Sequence, residues 1–338
     1  MTRFLAQRLG GSVIVLLGLS VITFLLARVV PSNAAAVFIG PRARPDDIAR
    51  VTEQLGLNRP LPVQYVTYMS QMLTGDWGIS IGTKRPVLGE ILSRLPATLE
   101  LIVAAMLIAI PLGLLLGIMS ARRPGSISDV GVRVVTLIGV SLPAFFLGLI
   151  LQLIFFRGLD LLPLAGRIDS DLRFTAPILP VTGFLTVDAL LGLNAHGFLD
   201  VMWHLVLPAL TLAAYPIGLI ARMTRASMLE TMSRDYVRTA RAYGIGERRI
   251  HGRLALRNAL LPVLTIIGLV LAYSLTGTFF VEVVFNWPGL GTLAVKSILN
   301  VDYPAIMGIT LFGAAFYLLV NLVVDVLQAW LDPRIRLA

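Results

Sequence analysis

The stretch Ser233–Pro262, SRDYVRTARAYGIGERRIHGRLALRNALLP, is the most basic and least apolar segment of an otherwise oily chain. Nine arginines fall between Arg222 and Asn258 against Glu230, Asp235 and Glu247, so this loop carries +6 of the chain's net +9. Long apolar runs bound it on both sides. A basic loop so placed is expected on the cytosolic side of a membrane, by the positive-inside bias. Leu229, Met232, Tyr236, Ala240 and Tyr243 recur at spacings of three and four, which puts them on one face of a helix. Ser233 or Asp235 can cap that helix through a side-chain oxygen. Gly244 can end it in the left-handed conformation, and Gly246-Glu247 can begin a second helix. The expectation is helix, glycine hinge, helix: a knob whose apolar-aromatic face suits a groove on a soluble partner.

Working outward, hydrophobic residues make up 57% of the 338 and charged residues only 14%, with a mean hydropathy of +0.84. So few charges could not cover the surface of a soluble fold, and the balance fits a multi-span helical membrane protein. The absence of cysteine excludes a disulfide framework and thiolate metal sites. The positive excess is concentrated in one interhelical loop, which makes it a topology signal; no nucleic-acid partner is expected.

The apolar runs predict an all-α polytopic protein with six transmembrane helices and both termini cytosolic. The expected order is a cytosolic start at 1–8, a first span at 9–30, and an extracytoplasmic loop at 31–97. Spans at 98–120 and 134–156 follow, then a second outer loop at 157–203 and a fourth span at 204–221. The cytosolic loop covers 222–259, the fifth span 260–281, an outer loop 282–304, the sixth span 305–330 and a cytosolic end 331–338. Ala34-Ala35-Ala36 offers small residues for a signal cleavage site. The preceding apolar run, however, exceeds the roughly 7–15 residues of a signal peptide's core and is expected to be retained. Ile178–Leu193 is apolar but short and interrupted by Pro180, Gly183 and Asp188, so it is expected at the interface or in a loop rather than as a span.

Several features within this frame bear on packing or passage. Val63, Val66, Met69 and Leu73 share a helical face, which predicts a short amphipathic helix. Gly113 and Gly117, four apart, allow close helix packing in lipid. Ser141-Leu142-Pro143 breaks the third span with a kink. Tyr273, Ser274, Thr276 and Thr278, followed by Glu282, make one half of the fifth span unusually polar. These side chains either line a wet pathway or satisfy their own helices, and both accounts keep them away from lipid. With Ser141 and Pro143 they form the candidate substrate pathway.

The chain offers no chemistry of its own. A P-loop needs a Gly-Lys pair, and the only lysines, Lys84 and Lys296, do not follow glycine. Ion-driven carriers usually bury ionisable groups at mid-membrane, whereas Arg28, Glu100, Arg133, Glu282 and Asp325 fall near span ends. His196, His204 and His251 have no metal-ligand spacing with one another, and no nucleophile–base set is apparent. The chain is expected not to be an enzyme, with no catalytic residue, metal or cofactor of its own.

Motifs spread over almost the whole length resemble one family. DYVRTARAYG followed by LRNALLP resembles the EAA-type coupling loop of binding-protein-dependent ABC importers, in the branch containing the dipeptide and oligopeptide permeases. Arg238-Thr239-Ala240 stands where many relatives have Glu-Ala-Ala. The generic loop ends Ile-x-Leu-Pro, and this chain departs from it with Leu254-Ala255-Leu256-Arg257. The first outer loop, with LGL-x-RP, QY, GD-x-G and RLPATLEL, is similar to the same branch. So are the last outer loop, with its Glu, Phe, Pro-Gly-x-Gly and Asp-Tyr-Pro, and the DPRIR terminus.

The resemblance implies the type I ABC importer permease fold, a second related permease as heterodimer partner, two cytosolic P-loop ATPase subunits holding ATP and Mg, and an extracytoplasmic solute-binding protein. It implies Asp235, Tyr236, Arg238, Thr239, Ala240, Arg241, Tyr243 and Gly244 as the ATPase-coupling residues. In that picture Tyr236, Tyr243 and Ala240 seat in the ATPase groove, Arg238 and Arg241 meet its polar rim, and Gly244 supplies the bend. Peptide-like substrates come first on the resemblance; nickel chelates, glutathione and sugars are alternatives. An ion-driven carrier, a membrane receptor, or a basic helix lying on anionic membrane lipid are readings of other classes.

Overall fold

The computed structural model describes residues 2–29, 44–54, 56 and 58–331. The Ala34–Ala36 segment and the DPRIR terminus lie outside them. Every regular element among the described residues is helical, as bilayer-crossing backbone must be when no water is there to satisfy open strands. The helices are α1 (Thr2–Val29), α2 (Pro45–Gln54), α3 (Leu61–Leu73), α4 (Val87–Arg122), α5 (Ile127–Ser141), α6 (Ala144–Leu151) and α7 (Leu172–Thr175). They continue as α8 (Leu185–Leu191), α9 (Ala195–Met232), α10 (Asp235–Ala242), α11 (Glu247–Arg249), α12 (Leu256–Val284), α13 (Leu290–Leu299) and α14 (Tyr303–Leu331). π-helical turns extend α6 over Gln152–Gly158 and join α11 to α12 over Ile250–Ala255.

Five of these helical stretches are long and apolar enough to cross a membrane: Gln7–Arg28, Val87–Arg122, Ala195–Met232, Glu247–Val284 and Tyr303–Val326. A sixth exists if α5 and α6 together count as one span, and these are bent by 110° at their junction. The expected kink at Pro143 is therefore a full break. The residue before a proline is pushed out of the helical region, and Leu142 is extended, with φ −78° and ψ 132°. Helix α4 begins at Val87, earlier than the apolar run alone indicates, because Pro86 and Val87–Pro96 wind into its first turns. The segment 178–193 holds only the seven-residue α8, too short to cross a bilayer.

The chain forms two compact units, Met1–Pro96 with Gly289–Leu319, and Ala97–Pro288 with Val320–Ala338. In the first, Phe24, Ala27 and Met307 make a buried cluster with Tyr65, Tyr68 and Tyr303 packed against it. Ser20 Oγ and Tyr65 Oη share a hydrogen bond of 2.7 Å. The packing face of α3 is thus its tyrosine face. Of the expected apolar face, Val63, Val66 and Leu73 remain exposed and Met69 is half-buried. Asp302 caps α14: its carboxylate accepts from the Ala305 amide at 3.2 Å, the Ser80 hydroxyl at 2.5 Å and the Gly82 amide at 3.0 Å. Pro304 then occupies the first turn of that helix, where its missing N–H costs nothing.

In the second unit, α9 packs against α5, α6 and α12. Gly113 and Gly117 of α4 find their partner in α9. A Cβ at Gly117 would stand 2.5 Å from Thr224 Cβ and 2.7 Å from the Ala221 carbonyl oxygen, and one at Gly113 would stand 2.7 Å from Ile220 Cβ. Trp287 is fully buried and donates from Nε1 to the Ala97 carbonyl at 2.8 Å. One buried ion pair stands out here. Arg167 pairs with Glu100, whose other oxygen accepts from the Thr186 amide at 2.8 Å and its hydroxyl at 2.7 Å. The Arg167 guanidinium also lies 5.4 Å over the Trp287 ring, so the penalty for burying the ion is offset by hydrogen bonds and a cation–π contact. His204 is buried, with Nδ1 3.0 Å from the Asp200 carbonyl and 3.4 Å from its carboxylate.

Candidate functional site

The basic loop folds as a closed knob in the second unit. Helix α9 runs to Met232, which makes Ser233 its C-cap; the Ser233 hydroxyl donates to the Glu230 carbonyl at 2.7 Å. The capping role expected of Ser233 or Asp235 is therefore not taken up. Arg234 is the N-cap of α10, without a side-chain cap, and its guanidinium pairs instead with Glu230. Asp235, one place too late to cap, receives Arg238 Nη1 at 3.3 Å.

The far end of α10 closes as a Schellman motif. Gly244 adopts φ +74°; its amide donates to the Arg241 carbonyl at 2.9 Å, and the Ile245 amide reaches back to the Ala240 carbonyl at 3.1 Å. That is the paired hydrogen-bond pattern by which a left-handed residue satisfies a helix's last carbonyls. The hydrophobic contact that accompanies it is present, since Ile245 packs on the cluster Val237, Ala240 and Ile250, with Met232 and Leu254 alongside. Nothing lies within 4 Å of where a Gly244 side chain would begin. Glycine is needed here for its backbone conformation rather than for room.

This geometry separates the residues that periodicity groups together. Ala240 is buried in the loop's own core, where it holds α10 against the π-turn at Ile250, so its side chain does not face a partner as expected. Tyr243 is 82% exposed and Tyr236 40%; these two rings are the apolar surface the knob presents. Tyr236 Oη accepts from Asn258 Nδ2 at 2.9 Å, tying α10 to the first turn of α12. Arg238 and Thr239 are exposed, while Arg241 makes a two-pronged pair with Glu247 at 2.7 and 3.4 Å across the glycine bend.

A second feature was not legible from spacing. Asp129, buried at the start of α5, accepts from Arg225 Nε at 2.8 Å and Nη2 at 3.0 Å, from the Gly125 amide at 2.9 Å, and from Ser120 Oγ. One carboxylate thereby joins the end of α4, the following turn, α5 and α9. Bidentate Arg–carboxylate pairs are directional and strong, so this lock ties α9, from whose end the basic loop projects, to α4 and α5.

The pathway residues divide in the same way. Tyr273, Ser274 and Thr276 line a cavity of about 380 Å³ with Gly139, Leu142, Tyr215 and Pro216. Ser141 and Pro143 flank this cavity at the α5–α6 break without lining it. Proline at 143 removes the N–H that would meet the Gly139 carbonyl in a continuous helix, and proline at 216 does the same for Leu212. Gly139 and Leu212 both line the cavity. Thr278 and Glu282 belong elsewhere. Both are fully buried; Thr278 bonds its own helix at the Leu275 carbonyl, and Glu282 accepts from the Thr98 hydroxyl at 2.6 Å. Their polarity serves helix packing. Among the described residues no cluster of His, Asp and Glu could hold a metal.

Comparison with known proteins identifies the family. Residues 113–337 match the family described as binding-protein-dependent transport system inner membrane component, and residues 1–102 match the N-terminal region described for the same kind of component. The chain is 45% identical over 331 residues to a probable D,D-dipeptide transport system permease protein, DdpB, of Escherichia coli (strain K12), covering 98% of this chain and 96% of that one. It is 42% identical over 337 residues to the di/tripeptide transport system permease protein DppB of Pseudomonas aeruginosa (strain UCBPP-PA14), covering 99% of each. It is 35% identical over 337 residues to the oligopeptide transport system permease protein AppB of Bacillus subtilis (strain 168), covering 99% of this chain and all of that one. The chain belongs to the binding-protein-dependent transport system inner membrane component family, as a multi-pass membrane permease rather than a catalytic subunit.

Proposed function

We propose that this chain forms half of the translocation pathway of an importer for di- and oligopeptides. In this reading a second, related permease supplies the other half, two P-loop ATPase subunits bind ATP and Mg, and an extracytoplasmic binding protein delivers the solute. The observation that carries it is the knob: a Schellman-closed pair of short helices whose tyrosines stand outside their own core, at the end of two membrane-length helices. Such a knob transmits force, because it is seated on α9 and α12 directly rather than on a flexible tether.

The excess of arginine in 222–259 argues for a cytosolic loop, and with α5 and α6 counted together as one bent span both termini share its side. Tyr236 and Tyr243 then supply the anchor of a groove contact, with Arg238 at its rim. Arg241 shapes the knob through Glu247. The solute passes the cavity lined by Tyr273, Ser274 and Thr276, where the Ser274 hydroxyl is already given to the Val270 carbonyl at 2.8 Å and the exposed Tyr273 and Thr276 supply the polar groups. Preference for peptides over other polar solutes rests on what the relatives carry in their names.

The test is purification of the tagged chain from gently solubilised membranes, followed by reconstitution into vesicles. The proposal expects a second permease and P-loop ATPases to co-purify, ATP hydrolysis to rise when loaded binding protein is added, and labelled dipeptide to accumulate. A chain that came out alone, or hydrolysis indifferent to peptide, would refute it.

A further inference from the structure

Among the described residues, none that lines the cavity of about 380 Å³ at the α5–α6 break is charged. Two of its hydroxyls are already given to their own helix or its neighbour turn: Thr211 donates to the Leu207 carbonyl at 2.8 Å and Ser274 to the Val270 carbonyl at 2.8 Å. Leu142, Leu147, Leu212, Val270 and Phe280 make much of the remaining wall apolar. Such a wall has nothing to pair with an ammonium or a carboxylate, and an ion pressed against it loses water without compensation. The volume lies near the lower end of the about 300–1,000 Å³ of ligand pockets, a scale that suits a small group rather than a long chain.

One edge of the cavity is aromatic. Phe280 lines it, is 62% exposed, and lies 6.2 Å from Phe145, centroid to centroid, with the ring planes tilted by 49°. Tyr273, Thr276 and Phe280 are three and four apart and share one face of α12. The hydroxyl-bearing residues keep that face away from lipid, and Phe280 looks the same way. Phe145 is held by the backbone that carries it. Helix α6 lies so close to the end of α12 that a Cβ at Gly148 would stand 3.1 Å from Phe285 Cε2 and 3.3 Å from Val284 Cγ1. The two rings are thus a fixed part of the wall.

We infer that this cavity is a side-chain subsite of the peptide pathway: the Phe280 ring, backed by Phe145, receives an uncharged apolar or aromatic side chain of the passing peptide, while the charged termini stay outside. The inference rests on the proposal that peptides pass this cavity and adds which part of them it meets. Rings favour edge-to-face or offset neighbours at about 4.5–7 Å, so an aromatic side chain gains most from a ring already held at one edge.

The experiment uses the reconstituted transporter with its ATPase subunits and binding protein. It compares initial uptake of labelled Ala-Phe and Ala-Ala, each presented on saturated binding protein. That protein is common to all variants, so its own preference cancels when the Ala-Phe to Ala-Ala ratio is compared between them. Phe280→Ala should lower the ratio about three- to tenfold, chiefly by slowing Ala-Phe. Phe280→Leu, which keeps an apolar wall, should lie between, and Phe145→Ala should give a smaller fall than Phe280→Ala. Because the chain has no cysteine, Phe280→Cys adds a readout independent of rate. A hydrophilic thiol reagent should modify position 280, and Ala-Phe should slow that modification more than Ala-Ala does. Three results would overturn the inference while wild-type uptake stands: a ratio unchanged in Phe280→Ala, equal slowing of both peptides, or a position 280 that the hydrophilic reagent does not reach, as for a ring facing lipid. Absence of uptake of either peptide by wild type would overturn the pathway reading, and this inference with it.

Discussion

Replacing Gly244 tests how the knob is built. Its φ of +74° lies in the left-handed region, where a residue with a Cβ costs about 1–2 kcal/mol and a β-branched one is a genuine outlier. No atom lies within 4 Å of the added carbon, so the cost is purely that of the backbone. Asparagine, which tolerates this region, should be mildest, alanine intermediate and valine worst. A penalty of 1–2 kcal/mol shifts the population of the correctly closed knob by a factor of about 5–30. Valine should add the loss of the two hydrogen bonds from the Gly244 and Ile245 amides, about 0.5–1.5 kcal/mol each. The assay is peptide-stimulated ATP hydrolysis by the reconstituted transporter, with membrane insertion followed in parallel. The expected order of coupling is Gly, Asn, Ala, Val, with insertion unchanged. Wild-type coupling in Gly244→Val, or equal loss in all three variants, would refute the reasoning.

Asp129→Ala should leave a vacancy beside the partly exposed Arg225 and destabilise the chain, by less than the about 3–5 kcal/mol lost when one partner of a fully buried pair is removed. In a double-mutant cycle with Arg225→Met, thermal unfolding should show strong coupling, and additive losses would dissolve the lock. Gly117→Leu should force α4 and α9 apart, since even its first carbon would sit 2.5 Å from Thr224 Cβ. An overpacking cost of about 1–3 kcal/mol should appear as a lower yield of folded chain, whereas Gly89→Leu, with nothing within 4 Å, should be tolerated. Thr276→Val should alter peptide transport at unchanged stability. Glu282→Ala should do the reverse, lowering thermal stability by removing the fully buried carboxylate that accepts from the Thr98 hydroxyl; a selectivity change from Glu282→Ala without loss of stability would return that carboxylate to the pathway.

The all-helical membrane class and the helix–glycine–helix form of the loop were legible because each follows from a local rule: apolar run length, arginine bias and the left-handed preference of glycine. What was not legible depends on which neighbour a side chain meets. Periodicity places Tyr236, Ala240 and Tyr243 on an apolar stripe, yet only contact shows that the chain's own Ile250 covers Ala240 and nothing covers Tyr243. Asp129 and Arg225 are 96 residues apart, and no spacing rule joins them. Pro143 announces a kink; that Leu142 turns it into a 110° break is a property of the packed backbone. Thr278 and Glu282 read as pathway polarity because a polar run in a span has two physical causes, and burial alone separates them.

The central claim is that this permease is driven through its knob, and the chain's lack of cysteine allows a direct test. Tyr243→Cys places one reactive thiol on the most exposed ring position of the knob, and Phe174→Cys places one at an exposed position in the 157–203 loop, proposed for the opposite side. In the reconstituted transporter, a short bifunctional reagent should link position 243 to the P-loop ATPase subunit, with a yield that changes when ATP binds, and should leave position 174 unlinked to it. Absence of an ATPase adduct at 243, in a preparation that still transports peptide, would contradict the account.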